Sequence, residues 1–506
     1  MNIFLTRKDL NTIKNGIIHK LGKSGAMDLA DFYILMIAGI VFLHIAFPDY
    51  TRVIYGDYLI VPCMLFLGVM QERGSILKCK KMYVLPIVMV AWFFILQIKR
   101  ERDFGPGVFH YTGLFLCTYL FAFPLASLLQ DGEKKKALKV FAGAYLAAAA
   151  AMTMMGLLLV LDCFPAFLSW HVFWDGARLE VFWHPNITGC FLMIGTVLCT
   201  LFLAQAKKLW SRLAFCILLI LMLGALALTR CRTAIILTGG FLGSILFFEA
   251  VKRGRKWFLP GVLAVLVVTA AFFEGAEFLY QANYHALLQK YTLQYSEQIA
   301  SDHTEPAISE TEISSGDADS QKETIPIAVN PNTGEVYLKT VSGQGSISHD
   351  FGTLNGRARI WSAAGAAIRE TPSILYWGML NPGEYVSSFN SFQISHMHNA
   401  WIECLMKMGC VGFLIAVLFT LITLWNCVIL LLKHYRDFWK RNVAMLTLCL
   451  LAAAVLEPYL FYTTIDYHAI DLLFFLCAGY LAHWQKADND HILMALQSRI
   501  SSLKKC

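Results

Sequence analysis

The chain has 506 residues, of which 57% are hydrophobic and 15% charged. Soluble domains carry about 25% charged residues, so this composition excludes an ordinary soluble fold. The net charge of +7 follows the loops between apolar blocks, which argues against a nucleic-acid-binding surface.

The apolar residues fall into blocks of the length that crosses a hydrocarbon core, about 17–25 residues. In chain order twelve such blocks are read, near 27–47, 54–70, 82–98, 108–129, 137–161, 185–204, 210–229, 233–250, 257–277, 410–432, 442–463 and 466–484. The N-terminal segment before them carries Arg7, Lys8, Lys14, Lys20 and Lys23 and no long apolar core, so no cleavable signal peptide is expected. Basic residues mark cytoplasmic loops. They recur in every second loop, as in Lys134–Lys136, Lys207–Lys208, Lys252–Lys256 and Lys433–Arg441. The expected architecture is an all-α polytopic membrane protein of about 12 helices, with both termini cytoplasmic.

Four units follow. Residues 1–277 form an N-terminal membrane block of about nine spans, and 278–397 an extracytoplasmic loop. Residues 398–484 form a C-terminal block of about three spans, and 485–506 a cytoplasmic tail. Within the loop, Glu297–Asp319 holds seven acidic residues and no Lys or Arg. Such a stretch has too little apolar surface to offset its ordering entropy, so 297–350 is expected to be a disordered insertion with a short hairpin around Asn332–Val341. The aromatic-rich block 160–184 is expected at the outer leaflet. Most of the fourteen cysteines fall inside spans and none lies in the long loop, so a disulfide framework is not expected.

Three clusters carry chemistry. Thr229-Arg230-Cys231-Arg232-Thr233 is a tight turn that places two guanidiniums at the start of a span. A helix N-terminus with Arg forks suits phosphate; snorkelling to lipid headgroups is the alternative. Asn355-Gly356-Arg357-Ala358-Arg359-Ile360-Trp361 opens an amphipathic helix, with Ile360, Trp361, Ala364 and Ile368 on one side. Arg357 and Arg359 either face a membrane cavity or are ordinary solvated charges. His396-Met397-His398-Asn399 ends the loop, with Glu403 following. An imidazole there can take a proton from a hydroxyl, or it is a plain interfacial histidine. No third convergent ligand supports a metal reading.

These clusters, in this order, resemble the O-antigen ligase and O-antigen polymerase superfamily. His398-Asn399, nine residues, Gly409, two residues and Gly412 fit the ligase pattern without a gap. Cys231-Arg232-Thr233 is similar to the family's Ser-Arg-small turn, with Cys in place of Ser. Arg357 to Trp361, with Pro372 and Gly378, looks like its Arg-three-Trp element. Pro185-Asn186, with Arg178 upstream, is a looser match. The acidic insertion is additional to the pattern.

The resemblance implies a bacterial plasma-membrane glycosyltransferase of polysaccharide biosynthesis at the cell envelope. Its donor would be a glycan on undecaprenyl diphosphate, and its acceptor a hydroxyl of a glycan, lipid or protein. It implies catalytic roles for His398, Arg232 and Arg357. Arg230, Arg359, Asn399, Glu403, Arg178 and Asn186 would bind substrate. No metal or other cofactor is required, and membrane lipid is the remaining partner. The alternatives are a polysaccharide polymerase of the same superfamily, a lipid-linked oligosaccharide flippase or other transporter, and a receptor or assembly scaffold.

Overall fold

The computed structural model describes residues 28–46, 65–70, 80–101, 121–161, 163, 172–175, 178–301, 323–329, 336–341, 357–379, 382–389, 396–461 and 468–503. They are predominantly helical. The long helices are α1 (Leu29–Ala46), α2 (Lys80–Glu101), α3 (Asp131–Val160), α4 (Pro185–Gln205), α5 (Leu209–Thr229), α6 (Arg232–Lys252) and α7 (Phe258–Ser301). Three short helices follow, α8 (Arg357–Glu370), α9 (Ile374–Trp377) and α10 (Pro382–Ser387). The chain ends with α11 (Ala400–His434), α12 (Phe438–Ala454) and α13 (His468–Leu503). Among the described residues seven helices, α1, α3, α4, α5, α6, α7 and α11, are long and apolar enough to cross a membrane, and Val84–Lys99 in α2 is a shorter apolar stretch.

The expected spans 54–70 and 108–129 lie mostly outside the described residues. The expected span 442–463 is corrected: its helix ends at Ala454. Pro458 disfavours helical backbone at Glu457, and Leu460 and Phe461 take positive φ of 73° and 57°. The break is held by Asp471, whose Oδ1 accepts the Leu460 N–H at 2.5 Å. The helix that carries the expected ninth span does not end at 277. α7 runs on without interruption for 44 residues, about 66 Å at 1.5 Å per residue, more than twice a hydrocarbon core of about 30 Å.

α6 and α7 approach closely through Gly239 and Gly243. A Cβ on Gly239 would stand 2.9 Å from Thr269 Cα, and one on Gly243 2.7 Å from Val265 Cα. Small residues spaced by four bring helix backbones together where lipid tails offer no hydrophobic drive. Gly189 on α4 likewise abuts Cys231 at the α5–α6 turn.

Among the described residues, two antiparallel strand pairs complete the fold. β1 (Val172–Asp175) pairs with β2 (Arg178–Val181), with Val172 opposite Val181 and Asp175 opposite Arg178. β3 (Glu323–Val329) pairs with β4 (Val336–Val341), with an irregularity between Pro326 and Ala328, where proline has no N–H for the ladder. The expected hairpin at Asn332–Val341 thus supplies one arm, and its partner lies upstream. The rest of the insertion at 297–350, apart from the end of α7, lies outside the described residues.

The short helices form a small second core. Ile360, Ala363, Ala364, Ala367, Ile374, Val386, Met397 and Met406 are buried together, with Trp361 and Ile368 against them. This is the apolar side expected of the 357–369 helix. It docks on α11 through paired glycines. Gly378 has φ 59° and sits against the Lys407 carbonyl; Gly409 has φ 67° and sits 2.6 Å (as a built Cβ) from the Tyr376 carbonyl. Met379 N donates to Met406 O at 2.8 Å across the same contact. Gly409 is the kink inside α11.

Candidate active site

At one end of the helices lies a cavity of about 310 Å³, lined by Arg178, Asn186, Arg230, Cys231, Arg232, Thr233, Arg357, His398 and Glu457. Volumes from about 300 Å³ upward are typical of small-molecule sites. Segments distant in sequence meet here because several helices start at the same place. Asn186 is in the first turn of α4, Arg232 and Thr233 open α6, and Arg357 opens α8. His398 stands two residues before α11. Helix N-termini present free N–H groups and a partial positive charge. Four guanidiniums against one carboxylate, Glu457, add to that field. The cavity is built to attract an anion with several oxygens.

Each guanidinium is held differently. Arg178 Nε donates to Thr229 O at 3.0 Å and Nη2 to Asn186 Oδ1 at 2.6 Å, so it braces the α5–α6 turn against the start of α4. Arg230 is in left-handed backbone (φ 50°), pairs with Glu277 Oε1 on α7 at 3.0 Å and lies over the Tyr280 ring at 4.5 Å. Arg357 Nη2 donates to Glu457 Oε1 at 2.9 Å. The turn is tightened by Thr229 Oγ1, which accepts from Cys231 N at 3.2 Å and donates to Leu226 O at 2.7 Å. Cys231 is the N-cap residue of α6, and its Sγ donates to Asn186 O at 3.6 Å.

His398 is set by its neighbours. Its φ is 49°, a conformation uncommon outside glycine that concentrates at functional sites. The preceding residue is clamped on both sides: Met397 N donates to Glu403 Oε2 at 2.6 Å, and Met397 O accepts from Trp361 Nε1 at 2.9 Å. The following residue, Asn399, caps α11 by accepting from Trp401 N and Ile402 N. Its Nδ2 donates to Val455 O at 2.9 Å, which ties this segment to the end of α12. The His396 ring lies 4.1 Å from that of His398. Burial, then the charges of His396, Arg357 and His184, push the His398 pKa down to about 2. Burial, His184, Lys407 and Arg357 push His396 down to about 4. Both imidazoles are therefore neutral at physiological pH, the form that can accept a proton.

Arg232, Arg357 and His398 thus share one cavity, joined by Arg178, Asn186 and Arg230. Arg359, Asn399 and Glu403 do not line it. Arg359 is exposed on α8, because two residues along a helix turn a side chain to the other side. Asn399 is occupied by its cap and by Val455. Glu403 is fully buried, engaged by Met397 N and by Lys407 Nζ at 3.1 Å.

Sequence reasoning missed Glu457. It is 1% exposed, pairs with Arg357, and its Oε2 lies 3.9 Å from His398 Nδ1. An ionisable residue within an apolar run is a functional candidate by default, and Glu457-Pro458 in the block 442–463 was that signal.

Residues 217–417 match the family model described as O-antigen ligase. The matched stretch contains Arg230, Arg232, Arg357 and His398; Arg178, Asn186 and Glu457 lie outside it. No curated protein and no solved structure matches the chain. The match covers about two fifths of the chain, and the motif residues within it meet in one cavity, so this stretch is similar to the O-antigen ligase family.

Proposed function

We propose that this protein transfers a glycan from undecaprenyl diphosphate to an acceptor hydroxyl at the extracytoplasmic face of the bacterial plasma membrane, in the manner of an O-antigen ligase. The observation that carries this reading is the cavity itself: Arg178, Arg230, Arg232 and Arg357 face one space together with a neutral imidazole. A diphosphate fits the guanidiniums and helix N-termini. The acceptor oxygen attacks the anomeric carbon, the bond from that carbon to the phosphate oxygen breaks, and the diphosphate leaves as an anion. Arg232 and Arg357 stabilise the departing charge, as preorganised donors do. His398 takes the proton of the attacking hydroxyl. The positive charge of the arginines takes the place a metal ion would hold.

Donor binding also tunes the base. Arg357 helps to hold the His398 pKa down. A bound diphosphate offsets that charge and raises the affinity of the imidazole for a proton, so the base strengthens when a leaving group is present.

The test is purified protein with a lipid-linked glycan donor and an acceptor. Release of undecaprenyl diphosphate together with glycosylated acceptor supports the reading; transbilayer movement of an intact donor would replace it with a flippase. Polymerase is the second reading within the family. The His398-Asn399-nine-Gly409 spacing favours ligase. Glycan from a deletion strain separates the two: full-length but unattached polymer indicates a ligase, and single repeat units indicate a polymerase.

A further inference from the structure

Glu457 stands where a base needs a partner. Its Oε1 is taken by Arg357 at 2.9 Å. Its Oε2 is buried, has no hydrogen-bond partner among the described residues, and points to His398 Nδ1 at 3.9 Å. His398 Nδ1 is likewise buried without a hydrogen bond among the described residues. A gap of 3.9 Å is too long for a hydrogen bond, but a carboxylate rotation that closes about 1 Å makes one, and catalytic hydrogen bonds often tighten only when substrate binds. The backbones are already in register. Asn399, next to His398, donates to Val455, two residues before Glu457.

We propose that Glu457 is the positioning residue for His398. Its Oε2 accepts a hydrogen bond from Nδ1–H, which leaves the Nε2 lone pair for the acceptor hydroxyl, and its charge counters the imidazolium as the hydroxyl proton arrives. The inference rests on the reading of His398 as the base. The geometry parallels the carboxylate that fixes tautomer and orientation in a Ser-His-Asp triad. Charge works in the same direction. Glu457 pairs with Arg357 and lies 3.9 Å from His398 Nδ1, so once ionised it sets a negative charge beside both.

The groups facing Glu457 are Arg357 from α8, Arg178 from β2, Cys190 from α4, Cys231 from the α5–α6 turn and His398 before α11. Burial, then Cys231, raise its pKa to about 8, against the lowering pull of Arg357 and Arg178. A carboxyl raised in this way is protonated below that pH and ionised above it. The orienting carboxylate therefore forms as pH rises, and kcat/KM of the free enzyme should climb through a limb near pH 8.

The experiment is glycan transfer by full-length wild type, Glu457→Gln, Glu457→Asp, His398→Ala and the His398→Ala/Glu457→Gln double variant, across pH 6–9.5. Glu457→Gln is expected to lower kcat by on the order of 10²–10⁴-fold and to lose the limb, while Glu457→Asp keeps a limb. In the His398→Ala background, Glu457→Gln should add less than about twofold, because Glu457 acts through His398. Wild-type kcat and an unchanged limb in Glu457→Gln would overturn the proposal, as would fully additive losses in the double variant. If Glu457→Gln fails to fold, Glu457→Asp with no limb and no loss of kcat overturns it. A wild type that transfers no glycan at all would instead overturn the assignment of function on which it rests.

Discussion

Gly378 and Gly409 lie back to back, each against the other segment's backbone: the first meets the Lys407 carbonyl, the second the Tyr376 carbonyl. Both have φ near 60° and extended ψ, −167° and −174°, a region essentially reserved for glycine. These two motif glycines therefore act through shape. They lock the loop helix bearing Arg357 onto the helix that begins beside His398. Gly409→Ala should cost at least about 1–3 kcal/mol from backbone strain alone, with a further cost from the clash at Tyr376. The check is thermal unfolding in detergent, and activity should fall with the melting temperature.

Arg232 and Arg357 should differ from surface arginines in tolerating no lysine. A point charge cannot reproduce a planar fork on two phosphate oxygens. Arg232→Lys and Arg357→Lys are each expected to reduce transfer by on the order of 10²–10³-fold, the cost of one lost transition-state donor. Arg359→Ala, on the exposed side of α8, should stay within about twofold of wild type by the usual tolerance of surface sites. Steady-state transfer rates on matched amounts of folded protein decide this.

His398→Ala and Glu403→Ala should fail for different reasons. His398→Ala is expected to lose about 10²–10⁴-fold in rate while folding and donor binding persist. Glu403→Ala takes the carboxylate from the half-buried Lys407 and leaves the buried Met397 N without its acceptor. An unsatisfied buried donor costs about 1–3 kcal/mol, so the loss should appear first in unfolding temperature. Paired melting curves and donor-binding isotherms distinguish the two.

Acid should destabilise the protein through its imidazoles. The pKa of His398 falls from 6.5 to about 2 on folding, and that of His396 from 6.5 to about 4. Between those values the unfolded chain binds more protons than the folded one, so the stability from these groups is present above pH 6.5 and is lost as pH falls below it. The melting temperature of wild type, measured relative to His398→Ala, should therefore decline from pH 6.5 to 4. A difference constant across that range would contradict the burial of a neutral His398.

The residues that meet in the cavity were largely legible because each follows a local rule. Arg232 opens a helix after a short turn, Arg357 begins an amphipathic stretch, and His398 precedes a capping Asn and a long apolar run. Their convergence was not derivable from periodicity; it came from the ordered resemblance to a family. Three neighbours expected at the same site lie outside the cavity lining, because proximity along the chain says nothing of direction. Arg359 turns away on its helix, while Asn399 spends its polar atoms on backbone N–H groups and the Val455 carbonyl, and Glu403 on Met397 N and Lys407. Glu457 was hidden by hydropathy, since an apolar window passes smoothly over a helix end whose only marks are one acid and one proline. The continuation of α7 past residue 277 was hidden for the opposite reason: the sequence turns polar there while its residues remain good helix formers.

That continuation gives the protein a lever. α7 grips Arg230 through Glu277 and Tyr280, then extends as a single rod through Ser301. Because one continuous helix joins the Arg230 contact to the β3–β4 hairpin, a displacement of that hairpin bears on the rim of the arginine-lined chamber.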